Sequence, residues 1–174
     1  MNPTQIQLVQ ASFEHVKPIA GVAAELFYNR LFELDPSLRR LFKPDLSDQK
    51  VKLMATLAFA VAGLKQPDQV LAAVRQLGQR HAGYGVQPEH YQTVGAALLW
   101  TLEQGLGEQF TPAVAEAWAA LYTLVAATMQ AAAPVAERVG ALLLVPEFPR
   151  AAYPDGADYT HGVFRGGRWR DRQD

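Results

Sequence analysis

The placing of the prolines constrains this chain more than any other feature. Asp35-Pro36, Gln66-Pro67, Gln87-Pro88 and Thr111-Pro112 each put a proline where the first residue of a helix would sit. That position needs no backbone N–H and suits a fixed φ. Pro3 and Pro18 can serve in the same way. Between these marks, apolar residues recur at helical spacing. Val22, Leu26, Phe27, Leu31 and Leu34 form one set; Val51, Met54, Leu57, Phe59, Val61 and Leu64 a second; Val94, Leu98, Leu99, Leu102 and Leu106 a third. No segment reads as the alternating, turn-bounded pattern of a hairpin. The pattern predicts an all-α domain with helices over 3–16, 18–34, 36–42, 47–64, 67–82, 88–107 and 111–133.

With 174 residues, 49% of them hydrophobic and 19% charged, the chain can bury a real core, and wholesale disorder is excluded. A net charge of −1 argues against a nucleic-acid-binding domain. The absence of cysteine excludes disulfides, thiolate metal sites, iron–sulfur clusters and cysteine nucleophiles. The start, MNPTQIQLVQ, lacks the basic and apolar regions of a signal peptide, so a cytoplasmic protein is expected. Ala117 to Ala136 carries no charge over 20 positions, the length of a bilayer span. Nine of those residues are alanine, and Thr123, Thr128, Gln130 and Pro134 interrupt the rest, so the stretch reads as a buried helix.

The character changes after Ala133. Residues 134–174 hold four of the 11 prolines, five of the 13 glycines, and Arg165, Arg168, Arg170 and Arg172. The expected division is a helical domain over 1–133 and an extension over 134–174. Val139 to Phe148 is apolar enough to dock on the core, and from Arg150 onward the chain reads as an irregular, mobile tail.

The four histidines, His15, His81, His90 and His161, form no HExxH pair and no cluster at metal-ligand spacing. There is no GxSxG elbow and no Walker loop. GLGEQF lacks the third glycine of a dinucleotide fingerprint and follows a helix rather than a strand. Any redox chemistry would therefore draw its electrons from another molecule. His81 closes VLAAVRQLGQRHAGYG, with Val74 and Leu77 on its face, before Gly83 and Gly85 break the helix. By itself, a histidine there is more often a helix cap than a ligand. Gln49 and Leu53 lie one turn apart, Tyr28 stands in LFYNRLF, and Phe42 closes RRLF.

Taken in order, LFYNRLF, RRLFKP, DQKVKLMATL, QRHAGYGV, HYQTVG and AWAALY resemble one-domain bacterial haemoglobins and the globin module of flavohaemoglobins. The resemblance covers residues 4–132, with 32 residues from Gln49 to His81. It implies a globin fold around a haem b held between the helices of Gln49 and His81. His81 would be the proximal iron ligand, its other nitrogen bonded to the Leu77 carbonyl. Tyr28 and Gln49 would stabilise dioxygen on the opposite face. Phe42 and Leu53 would press on the haem plane, while Leu57, Val86, Tyr91, Val94 and Leu98 would complete the walls. Lys52 and Arg80 would pair with the propionates or remain solvated. Without the resemblance, Phe42, Leu53, Val94 and Leu98 belong in any helical core, Tyr28 is an ordinary buried tyrosine, and Gln49 sits on a solvent face. His90 reads as a helix-start or surface residue, and His15 and His161 as unrelated to the site.

Two departures shape the expected function. Flavohaemoglobins support the proximal histidine with a tyrosine, matched by Tyr91, and a late glutamate, whose place here is Ala133. Glu137 lies beyond Pro134 and out of register. No flavin or nicotinamide domain is expected behind the globin module. The resemblance thus points first to reversible dioxygen binding for storage, delivery or scavenging, with nitric oxide and carbon monoxide as further ligands. The alternative is a nitric oxide dioxygenase, with enzymatic turnover only through a separate reductase. A gas sensor signalling through residues 134–174 is a third reading. A monomer or weak homodimer is expected, with no nucleic-acid partner and no membrane span.

Overall fold

The expected proline starts translate directly into helices. The computed structural model describes residues 1–133, together with the backbone of two short strands at 162–165 and 168–171. Its helices are α1 (Pro3–Val16), α2 (Ala20–Leu34), α3 (Ser47–Ala62), α4 (Pro67–Gly83), α5 (Pro88–Leu106) and α6 (Pro112–Ala132). Pro3, Pro67, Pro88 and Pro112 each open one of them. At the first start, Asn2 Oδ1 accepts from the Gln5 N–H at 2.8 Å and Gln5 Oε1 from the Asn2 N–H at 3.1 Å, a reciprocal cap. Thr111 Oγ1 caps α6 by accepting from the Val114 N–H.

Two expected helices begin or wind differently. Pro18 lies inside a 3-10 turn, Lys17–Ile19, and α2 starts only at Ala20. The segment after Pro36 is also a 3-10 helix, Pro36–Leu41, which leaves Phe42 extended beyond its end at φ −121° and ψ 151°. Arg39 closes the following corner, donating to the carbonyls of Phe42, Lys43 and Pro44 at 3.3, 2.8 and 2.8 Å. These bonds satisfy carbonyls that a 3-10 end would otherwise leave to water.

The helices pack chiefly as α4 on α6, α2 on α5 and α1 on α6. Val9, Phe13, Leu31 and the fully buried Trp118 anchor the core. Trp118 Nε1 donates to Ser12 Oγ at 2.9 Å, and Ser12 Oγ donates in turn to the Leu8 carbonyl at 2.7 Å, so the buried indole N–H is satisfied. Among the described residues, α6 is the helix long and apolar enough to cross a membrane. It instead buries Val114, Ala117, Trp118, Leu121, Ala126 and Met129 against its neighbours, as a core helix does.

One expectation is overturned in the extension. Gly162–Arg165 (β1) pairs antiparallel with Arg168–Asp171 (β2), Phe164 opposite Trp169 and Val163 opposite Arg170. The chain beyond Arg150 is therefore not irregular throughout. The cue in the sequence is the Gly166-Gly167 pair between two short runs. The expected docking of Val139–Phe148 and the expected mobility of the tail lie outside the described residues.

Candidate functional site

Helices α2 to α6 line an apolar cavity of about 210 Å³ that opens to solvent on one side. Protein interiors leave few voids larger than a water molecule, so a space of this size is built for an occupant.

On one side stand α2, the corner after it, and α3. Ala24, Tyr28 and Leu31 share the buried face of α2 at helical spacing, which turns the Tyr28 phenol inward; the residue is 2% exposed. Its Oη donates to the Gln49 backbone carbonyl at 3.4 Å, a long bond. Its ring meets Phe27 and Phe42 edge-on, with centroids 5.0 and 5.6 Å apart. Burial pushes the Tyr28 hydroxyl well above the usual phenol range, opposed in part by Gln49, so the group stays a neutral donor. Gln49 is half-buried in the first turn of α3, and Leu53 and Leu57 follow it at one-turn intervals along the same wall.

Facing the cavity from α4, His81 follows Val70, Val74 and Leu77 on the buried stripe of that helix. Its Nδ1 lies 2.9 Å from the Leu77 carbonyl oxygen, the contact expected from sequence. A carbonyl can only accept, so Nδ1 carries the proton and Nε2 keeps its lone pair. Burial pushes the His81 pKa down while the Leu77 bond raises it, leaving a neutral imidazole at neutral pH.

Val86, Tyr91, Val94 and Leu98 complete the wall from the chain entering α5 and from α5 itself. Behind them, the Tyr122 ring lies against Gly95, where an added Cβ would fall 2.5 Å from ring carbon Cε1. Tyr122 Oη donates to the Tyr91 carbonyl.

The predicted Tyr28, Phe42, Gln49, Leu53, Leu57, Leu77, His81, Val86, Tyr91, Val94 and Leu98 thus share one cavity. Lys52, half-buried, and Arg80, exposed, are not part of its lining. Residues not expected there are Thr56, His90 and the α6 stripe Trp118, Tyr122, Val125 and Met129. That stripe was readable, since these positions recur at spacings of four, three and four. His90 does open a helix as expected: its Nδ1 accepts from the Gln87 N–H at 3.0 Å. It also lines the cavity.

Among the described residues, no group of three or more acidic or histidine side chains could hold a metal ion. A metal bound by His81 would therefore have to arrive inside an organic group that supplies its other ligands. One neutral imidazole nitrogen, an otherwise apolar wall, and phenol and amide donors from other helices fit a haem.

Comparison with known proteins agrees. The globin family model matches residues 25–129. The chain is 36% identical over 118 residues to a flavohemoprotein of Bacillus subtilis, covering 65% of this chain and 28% of that protein. It is 27% identical over 158 residues to a flavohemoprotein of Vibrio cholerae, covering 89% and 39%. To a neuroglobin of Tetraodon nigroviridis it is 28% identical over 137 residues, covering 71% and 86%. It therefore spans well under half the length of these flavohemoproteins. With the family match covering most of the described helices and the cavity built between them, the chain belongs to the globin family.

Proposed function

We propose that this globin carries haem b on His81 and binds dioxygen reversibly, in the cytoplasm, as a monomer or weak homodimer. The observation that carries the reading is a single apolar cavity holding both His81, its proton held on Nδ1 by Leu77, and the donors Tyr28 and Gln49. A bound haem would supply an iron able to take diatomic ligands. The chain's own residues do the rest. His81 presents the Nε2 lone pair, and the Leu77 carbonyl holds the tautomer and ring orientation. Tyr28 and Gln49 offer hydrogen bonds to a ligand that draws negative charge, in a space from which Phe27, Phe42 and Leu53 exclude water.

The test is the absorption spectrum of the purified chain, reduced with dithionite and then exposed to air. An oxygenated spectrum that persists is expected. A chain that takes up no haem overturns the proposal.

A second reading, nitric oxide dioxygenation with a separate reductase, rests on the likeness to flavohemoproteins, of which the chain covers 39% and 28%. Immediate oxidation in air, with sustained nitric oxide consumption once a reductase is added, would favour it. Ala133, just past the end of α6, provides no carboxylate to draw on the proximal imidazole, which favours the carrier.

A further inference from the structure

We propose that the hairpin of β1 and β2 is a peripheral anchor that lays this chain on an anionic lipid surface. Its register divides its residues between two unlike faces. Gly162 pairs with Asp171, Val163 with Arg170, Phe164 with Trp169 and Arg165 with Arg168. Partners across an antiparallel pair share a face, and the faces alternate along each strand. Positions 165, 168 and 170, with Val163, therefore stand on one face. Phe164 and Trp169, with Gly162 and Asp171, stand on the other. Every arginine of the two strands is on the first face, and both aromatic residues are on the second.

Such a hairpin does not hold itself together. A two-stranded sheet alone in water is marginally stable at best, and this sheet has two strands only. Arg165 opposite Arg168 is a like-charged cross-strand pair, which weakens it further. An apolar layer against the aromatic face, with negative charge beside the arginines, would relieve both weaknesses. The boundary of an anionic bilayer offers the two together, within about 5–10 Å of depth. A cationic face set opposite an aromatic one is the pattern of elements that lie in that boundary. Tryptophan suits it because its ring is apolar and its N–H polar. Asp171, the one acid of the strands, pairs with Gly162 at the open end of the hairpin, away from the Arg165–Arg168 end that would enter first.

The attraction has to be local, because the chain as a whole carries a net charge of −1. The contact is also one of lying on a bilayer rather than crossing it. Helix α6, long and apolar enough to cross, is committed to the core through Trp118, Leu121 and Met129. A nucleic acid fits less well. Proteins hold single strands where stacking aromatic residues and cationic residues line one groove, and here the two kinds occupy opposite faces.

The test sediments the full haem-loaded chain with vesicles of phosphatidylcholine alone or of phosphatidylcholine mixed with phosphatidylglycerol. Binding to the mixed vesicles is expected, weakening as salt is added, with little to the neutral ones. Replacing the three arginines together, by Arg165→Gln, Arg168→Gln and Arg170→Gln, should weaken binding about 100-fold. That is the fold-change that about 1 kcal/mol for each arginine at an anionic surface gives. Lysine at the same three positions should retain the binding. Trp169→Ser should weaken it while leaving its salt dependence in place. The haem absorption of each variant checks that the helical domain is intact, so a loss of binding is assigned to the hairpin. Equal binding to the two kinds of vesicle, or binding to neither, overturns the proposal. So does unchanged binding by the glutamine variant. Vesicles left unbound by a wild type that takes up a labelled single-stranded oligonucleotide through these arginines would make the hairpin a nucleic-acid contact instead.

Discussion

Gly78 of α4 lies so close to Met129 of α6 that an added Cβ would fall 2.3 Å from the Met129 carbonyl oxygen and 2.5 Å from its Cα. The obstructing atoms are backbone, so neither helix can yield by turning a side chain. This contact sets how deeply α4 sits against α6, and His81 lies one turn further along α4. Gly78→Ala gains about 1 kcal/mol of helix propensity. It forces an overlap that costs about 1–3 kcal/mol or more, because rigid cores do not absorb an extra carbon. A lower thermal midpoint is expected despite the better helix former, together with faster haem loss. A midpoint equal to or above the wild type's would show that the helices separate freely.

Ser12→Ala should destabilise the fold by about 1–3 kcal/mol, although only one oxygen is removed. The change leaves the Trp118 N–H buried without its acceptor, in a residue with no solvent exposure. Chemical denaturation should show a lower midpoint with an unchanged slope.

Tyr28→Phe and Gln49→Ala should each speed the release of dioxygen. A hydrogen bond to a charged acceptor contributes about 1.5–3 kcal/mol, so about 10- to 150-fold faster release is expected from whichever donor dominates. Stopped-flow displacement by carbon monoxide reads the rate directly. If neither variant changes it, the two side chains do not face the bound gas.

Tyr28 also gives a pH prediction with a definite sign. Its hydroxyl pKa is raised by burial above that of the unfolded chain, as is that of Tyr122. The resulting stabilisation is complete below the unfolded phenol value, about 10, and is lost as pH rises from there through the folded value. Absorbance titration should therefore show these tyrosines remaining neutral past pH 10 until the protein unfolds. Tyr28→Phe should make alkaline unfolding less steep. Tyrosinate formation at Tyr28 near the ordinary phenol value would contradict its burial.

What could be read from the sequence divides along physical lines. The helix starts at Pro67, Pro88 and Pro112 were legible because the missing N–H and fixed φ act within a single turn. Tyr28, Gln49 and His81 were legible as a set only through the order of their motifs, since periodicity alone leaves each of them an ordinary helical residue. His90 escaped because a helix-start role accounts for one of its ring nitrogens and says nothing of the other. Lys52 and Arg80 were named for the propionates only through the resemblance, which does not show how a long side chain meets a cavity wall. The pairing of β1 with β2 was missed although Gly166-Gly167 marks it, because strands of four residues carry too little alternation to stand out.

By itself, then, the sequence determined which stretches are helical, where most of them begin, and which residue types could serve a haem. Each of those properties is settled by atoms within a few positions of one another. Only the tertiary structure decided that α4 and α6 meet at Gly78, that Phe42 passes the end of its 3-10 helix to meet the Tyr28 ring, and that His90 joins the cavity wall. These depend on the distance between segments far apart along the chain. That distance is set by how all the helices pack at once, and no local signal carries it.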